Sequence, residues 1–401
     1  MTFLGEIDKQ IAGKFATAPE NRPWQQPPPE INWPGSESRL KGIDLFAGAG
    51  GFSLGARLAG IEIVAAVEKD VHACTTYEWN LVHSGLSNTR LFSRDILELE
   101  PKQLMDDVGL REGECHVLLG GPPCQGFSAH RLNDAGVDDP RNKLLLRYFE
   151  FVRALRPAFF IVENVPGMLW PRHKAYVDKF RQLASEAEYD LPAPFVLNAR
   201  SYGVPQNRKR VFLFGRDARR KLDCAWPPIK THWSRAELEA GTEVGSPWET
   251  ASTVFQAPPP QDDPNDIHMS HGPDLVKRFM DTPINGGSRS ESGHVLPCHK
   301  GHDGHSDVYG RIDPAEPGPT MTTACVNPSK GRFVHPIHPH GITLRQAARF
   351  QTFPDWFVFA GGLMAGGCQV GNAVPVQMAK ALLEPVVDTL SLMVAEKETG
   401  I

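Results

Sequence analysis

The chain has no run of about 18 apolar residues, so nothing in it has the length of a bilayer-spanning helix. Its first thirty residues lack an apolar stretch behind a basic start, and no secretory leader is expected. The seven cysteines are odd in number and no two are spaced C-x-x-C. A chain of 401 residues buries enough surface to do without disulfide staples. Reduced thiols in a soluble cytoplasmic protein are therefore the expectation. Basic residues are not in excess either: 42 Lys and Arg face 47 Asp and Glu, for a net charge of −5. That excludes a protein that coats nucleic acid by bulk charge. A local basic groove stays open, because the field at a site follows the distribution of charge and not its total. There is no internal repeat.

At about 150 residues per domain the length suggests two or three domains. Residues 1–40 are polar and broken by Pro23, Pro27, Pro28, Pro29 and Pro34, and read as a weakly ordered extension. From Lys41 onward, short apolar segments at 42–46, 62–67, 90–95, 116–119 and 159–162 alternate with helical patterns that begin near Ser53 and Val71 and run through 143–156. This alternation predicts an α/β fold, a parallel sheet with helices on both faces, over 41–217. Residues 211–214 make a further strand, expected at the edge. Residues 218–342 lose the alternation and gain proline, glycine, histidine and tryptophan, as in a small loop-rich domain. Helical pattern returns at 343–352, and an apolar helix at 375–395 is expected to pack back on the sheet domain.

Where the first strand turns into a helix stands Asp44-Leu45-Phe46-Ala47-Gly48-Ala49-Gly50-Gly51. Glycines there let the backbone approach a nucleotide closely. The nicotinamide fingerprint would want glycine or alanine where Ser53 stands. Glu68 ends the second strand, 20 residues after Gly48, where an acid commonly accepts from ribose hydroxyls. Asp95 ends the third and could meet an adenine amino group. A glycine loop and two acids on successive strand ends describe a cofactor that contains adenosine.

Gly120-Gly121-Pro122-Pro123-Cys124-Gln125-Gly126-Phe127-Ser128 follows the fourth strand. A cysteine in a rigid Pro-Pro turn is placed for exposure, and a helix N-terminus there would raise its thiolate fraction. Glu163-Asn164-Val165 ends the next strand, where a carboxyl suits general-acid work; a capping role would explain the Asn better than the Glu. Eight basic residues and one acid lie between Arg200 and Lys221, a concentration expected to line a phosphate-holding groove. His294, Cys298, His299, His302 and His305 have spacings that metal ligands can use. They stand in a glycine-rich stretch without cysteine pairs, so loop histidines facing nucleic acid are favoured and no metal is expected. Cys74, Cys115, Cys224, Cys325 and Cys368 read as structural.

Taken in order, the loop, the acids, the Pro-Pro-Cys turn, Glu-Asn-Val and Gln206-x-Arg208-x-Arg210 resemble the cytosine-C5 DNA methyltransferases. The likeness covers 42–216 and resumes at 343–357 (TLRQAARFQTFPDWF) and 369–376 (QVGNAVPV), about half of the chain. It implies a Rossmann-like large domain dependent on S-adenosylmethionine, with a small target-recognition domain. Phe46, Gly48, Gly50, Glu68, Asp95, Ile96 and Pro123 would contact S-adenosylmethionine, and Asn372 would close the pocket. Cys124 would be the nucleophile that adds to C6 of a flipped cytosine. Glu163 would hydrogen-bond the ring N3 and the exocyclic amine, and Arg208 and Arg210 would position the cytosine and the catalytic groups. Residues 125–142 would close over double-stranded DNA and 218–310 would read its sequence, with the protein acting as a monomer. Val374 and Val376 flank Pro375 where many relatives carry a second proline. The same chemistry on tRNA, or a catalytically silent DNA-binding relative, are the other readings; intact Cys124, Glu163 and Arg210 argue against the silent one. A nicotinamide oxidoreductase is disfavoured by Ser53 and by a cysteine turn it would not need.

Overall fold

The computed structural model describes residues 40–83, 87–123, 143–293 and 308–399. Cys124, the segment 125–142 and the histidines from 294 to 305 lie outside them, as does almost all of the extension 1–40. A single large sheet is built from β1 (Lys41–Leu45), β2 (Glu62–Glu68), β3 (Arg90–Ser93), β4 (Val117–Gly120), β5 (Phe159–Asn164), β6 (Tyr189–Asp190), β7 (Phe195–Asn198) and β8 (Lys209–Asp217). The order is β3-β2-β1-β4-β5-β8-β6, with β7 also on β8. The first five strands are parallel and their order reverses between β1 and β4, the place where open α/β sheets bind ligands beyond the carboxyl ends of their strands.

Two expectations about this sheet are corrected. It is mixed, because β8 runs antiparallel to β5, with Glu163 opposite Phe212. Nor is β8 at the edge: β7 pairs with its Lys209 end and β6 with its Asp217 end. The uninterrupted buried run Val211, Phe212, Leu213 and Phe214 is that of a strand enclosed on both sides. Its outer neighbours, of two and four residues, are too short to announce themselves in the sequence.

Alternate strand residues feed two cores. Ile43, Leu45, Leu118, Phe160, Val162 and Leu213 face the helices that follow β3 to β5: α3 (Pro101–Asp107), α4 (Lys143–Leu155) and α5 (Lys174–Glu186). Val117, Leu119, Phe159, Ile161, Phe212 and Phe214 face α1 (Gly51–Ala59) and the long C-terminal α11 (Val376–Thr399), which packs on α1. The short α2 (Val71–Tyr77) follows β2.

Beyond β8 the elements are small: β9 (His232–Trp233), α6 (Arg235–Glu239), β10 (Ser246–Pro247), α7 (Ser252–Phe255) and α8 (Pro273–Asp281). Trp226 stacks on Phe214 with centroids 4.5 Å apart, so the chain stays on the sheet to that point. A third core gathers Ile312, Met321, Cys325 and Phe333 with Ala47, Leu54 and Tyr77 from the glycine-loop side. It also takes in α9 (Leu344–Phe350) and α10 (Gly362–Asn372). Among the described residues no helix is long and apolar enough to cross a membrane.

Candidate active site

The glycine loop leaves β1 through left-handed backbone at Phe46 (φ 62°), Gly48 (φ 55°) and Gly50 (φ 94°). Two bonds fix its course. The Ala47 amide donates to Val67 O at 3.0 Å and the Gly48 amide to Glu68 Oε2 at 2.9 Å. The other Glu68 oxygen accepts from the amides of Lys69 and Asp70, both at 2.8 Å. A side chain at Gly48 would meet nothing within 4 Å, so the loop turns an open face outward. Asp95, on the next strand end, accepts from the Leu97 amide at 3.0 Å and pairs with Lys69 at 2.9 Å. Against the upward push of partial burial, these partners hold Asp95 below the usual carboxylate range. Ile96 is buried beneath this edge. Asn372 ends α10 exposed, and its amide lies 3.7 Å from Cys368 Sγ. The structure thus gathers Phe46, Gly48, Gly50, Glu68, Asp95 and Ile96 at one corner of the sheet.

Under the loop lies a group that the sequence reading did not single out. Asp44 is 1% exposed; its Oδ2 accepts from Ser53 Oγ at 2.6 Å, and Ser53 Oγ accepts in turn from Tyr77 OH at 2.9 Å. Ser53, noted only as a departure from the nicotinamide pattern, is the signal that could have revealed it. Burial raises the Asp44 carboxyl to about 7, the Ser53 donors opposing and the charge of Glu68 adding to the rise. With a folded value above the unfolded one, the protonated acid favours the fold. That stability is full below about pH 4, is lost as pH climbs towards 7, and stays lost above. Asp44→Asn is therefore expected to gain about 2–3 kcal/mol on the wild type between pH 5 and pH 8 in urea unfolding. An equal difference at both pH values would refute this.

Along the sheet, Gly121, Pro122 and Pro123 continue β4, and Glu163, one residue before the end of β5, lies beside them. The Cβ position of Gly121 is 3.5 Å from Glu163 Oε2. The antiparallel β8 brings Arg210 to the same end, where its Nε lies 2.8 Å from Glu163 Oε1, both side chains nearly buried. Asn164 performs the local holding role foreseen for it: its amide donates to Pro122 O at 3.2 Å, and its Oδ1 accepts from the Val165 amide at 2.9 Å. The turn that leads to Cys124 is thereby tied to the strand that carries Glu163. Arg208 is 1% exposed and donates to three backbone carbonyls in two separate segments, that of Met321 and those of Gly371 and Ala373.

The basic run does not form one groove. Arg208 is buried, Arg210 is paired with Glu163, and Arg200 stacks on Trp248 at 3.7 Å from its centroid. Arg216 pairs with Asp190, and Arg219 and Arg220 pair with Asp217. Those three stand at the far end of a strand about 25–30 Å long. Sequence proximity along an extended strand spreads charge out instead of gathering it.

Burial pushes the thiols of Cys115 and Cys325 up to about 12 and that of Cys74 up to about 11, and raises that of Cys224. These are poor nucleophiles. Cys368 is exposed, so its expected structural place holds only through its contact with Asn372. Among the described residues no group of three or more His, Cys, Asp and Glu side chains is arranged to hold a metal.

This geometry can be set beside known proteins. The signature of the C-5 cytosine-specific DNA methylases matches residues 40–388. The chain belongs to that family. It is an enzyme, a DNA (cytosine-5)-methyltransferase. The methylase is similar to the type II methyltransferase M.DdeI of Desulfomicrobium norvegicum, 33% identical over 384 residues, covering 86% of this chain and 88% of the relative. M1.HphI of Haemophilus parahaemolyticus is 31% identical over 346 residues, 86% of each chain. Among solved structures, an Escherichia coli prophage-encoded chain described as a DNA modification methyltransferase superposes with a TM-score of 0.68. It is 26% identical and covers 88% of the methylase and 99% of its own length. A Spodoptera frugiperda DNMT2 structure, 18% identical with a TM-score of 0.55 over 86% and 99% of the two chains, shares the fold.

Proposed function

We propose that the methylase transfers the methyl group of S-adenosylmethionine to C5 of a cytosine flipped out of double-stranded DNA. The cytosine lies in one short sequence context, and the chain is the modifying partner of a restriction–modification pair. It works as a monomer in the cytoplasm. The observation that carries this reading is the Glu163–Arg210 pair set against the Pro-Pro turn, on the same sheet end as the glycine loop and its two acids.

The loop residues fit the cofactor. The open face at Gly48 leaves room for an adenosine moiety against the backbone, and Glu68 and Asp95 offer carboxylate acceptors for ribose hydroxyls and the adenine amine. When bound, the sulfonium supplies an electrophilic methyl group. Cytosine C5 is too weak a nucleophile to take that methyl unaided. In this mechanism the Cys124 thiolate bonds to C6, the ring loses aromaticity, and C5 acquires enamine character. Glu163 donates a proton at N3, which drains charge from the ring during the attack, while Arg210 fixes the orientation of the carboxyl. After C5 has been methylated, its proton leaves to a base, the C5–C6 double bond re-forms, the Cys124 thiolate is expelled, and the N3 proton returns to Glu163. The base must leave the helix for any of this to occur.

Base-resolution sequencing for 5-methylcytosine in DNA from a methylation-free bacterial host expressing the chain tests this reading. Methylation confined to one short context is expected; none from soluble protein would overturn it. A second result is expected at the cofactor corner. Glu68→Ala should weaken S-adenosylmethionine binding by about 1–3 kcal/mol, since charged hydrogen bonds go unmade and the Gly48 tie is lost. Unchanged affinity by calorimetry would remove Glu68 from the site.

A further inference from the structure

Three segments distant in sequence meet at one guanidinium. Arg208 Nη1 donates to Met321 O at 2.7 Å, and Nη2 donates to Gly371 O at 2.9 Å and Ala373 O at 3.0 Å. Gln206, fully buried, donates through Nε2 to Phe350 O and Gln351 Oε1, both at 2.9 Å, and its Oε1 accepts from the Met321 amide at 2.8 Å. Gln351 closes the ring by donating to Val370 O at 2.6 Å and Ala373 O at 3.0 Å. Met321 is therefore held at both its amide and its carbonyl. Its neighbours are held too, Thr320 Oγ1 to Asn207 O at 2.6 Å and Gly318 to Pro205 and Asn207 through backbone bonds.

There is no slack in this arrangement. A Cβ on Gly371 would fall 2.2 Å from the carbonyl carbon of Thr322, so the turn bearing Asn372 lies directly on the backbone of 322–323. Two residues on from Arg208, in β8, Arg210 holds Glu163. A close-packed contact of this kind cannot absorb a displacement of one side without moving the other.

We propose that Gln206, Arg208 and Gln351 form a clasp that couples engagement of DNA by the small domain, through Met321, to the placement of Asn372 at the cofactor, with Arg208 a positioning residue and not a ligand of the cytosine. This deepens the function proposed above and rests on it. By linkage the effect is reciprocal: DNA tightens the cofactor, and the cofactor tightens DNA by the same factor.

Calorimetry with the full chain and S-adenosylhomocysteine, with and without a duplex carrying the methylated context, tests the clasp. The wild type is expected to bind S-adenosylhomocysteine about 10-fold more tightly with the duplex. In Arg208→Lys that enhancement should fall below about 3-fold. An enhancement retained in Arg208→Lys, or absent from a wild type that methylates DNA, overturns the clasp and leaves the methyltransferase reading standing. A wild type that neither methylates DNA nor binds S-adenosylhomocysteine overturns that reading instead. Because a buried Lys can prevent folding, hydrogen exchange on the wild type serves as a second arm. S-adenosylhomocysteine alone should slow exchange of the Met321 amide, and unchanged exchange there rejects the coupling.

Discussion

Cys124→Ala is expected to bring methylation of DNA below detection while leaving S-adenosylmethionine affinity within about 3-fold of wild type. The asymmetry follows from the division of the site. In the proposed mechanism the sulfur makes the one covalent bond that activates C5, and nothing else described can replace it: Cys74, Cys115 and Cys325 are buried with their thiols pushed far up, and Cys368 stands beside Asn372 on another element. Without the adduct, the barrier is that of methylating an aromatic carbon, and the loss of nucleophilic catalysis is not partial. The glycine loop, Glu68 and Asp95 are held by β1, β2, Lys69 and the Leu97 amide, none of which involves the cysteine. Single-turnover methylation and calorimetry on the same preparation separate the two. Residual turnover within 100-fold of wild type would dismiss the nucleophile, and a matching loss of cofactor affinity would show that the substitution had damaged the fold.

The second large effect is expected at Glu163. Glu163→Gln keeps the volume and an acceptor for Arg210 Nε, so stability should change little, yet it removes the carboxyl group that in the proposed mechanism passes a proton to N3. A fall of about 10²–10⁴-fold in kcat follows from the ordinary worth of general-acid catalysis. Because only the transition state calls on that proton, KM for DNA should hold nearly constant. A rise in KM at unchanged kcat would turn Glu163 into a binding group alone.

The parallel half of the fold was open to reading because buried parallel strands are short, continuous apolar runs punctuated by glycine and acid, and 42–46, 62–67 and 116–119 have that form. The placement of the candidate site residues could be read for a related reason: β1, β2 and β5 deliver Phe46, Glu68 and Glu163 at their own carboxyl ends, so position in sequence translates directly into position in space. That translation fails for β8. Its direction is set by pairing with β5, and no local pattern encodes a partner some 50 residues upstream. The same limit hid the burial of Arg208. In its run of basic residues it reads as part of a phosphate-holding groove, and only contacts 113 to 165 residues away reveal that it is enclosed. Asp44 escaped for the opposite reason: one buried acid between apolar neighbours looks like the end of a strand until Ser53 and Tyr77 are seen around it.

The stacking of Trp226 on Phe214 and the seating of Gly371 on Thr322 also mark where this protein can be cut and rejoined. The chain is fastened to the sheet as far as Trp226, and fastened again from Gly318 onward by the backbone pair with Pro205 and Asn207. Between those two anchors an exchanged module would have to keep Asp263 on Arg345, Asn265 on Phe359 and Ile312 in the core with Ala47. A graft that ran past Gly318 would have to bring a matching 371–373 turn with it, because the two surfaces are cut to each other.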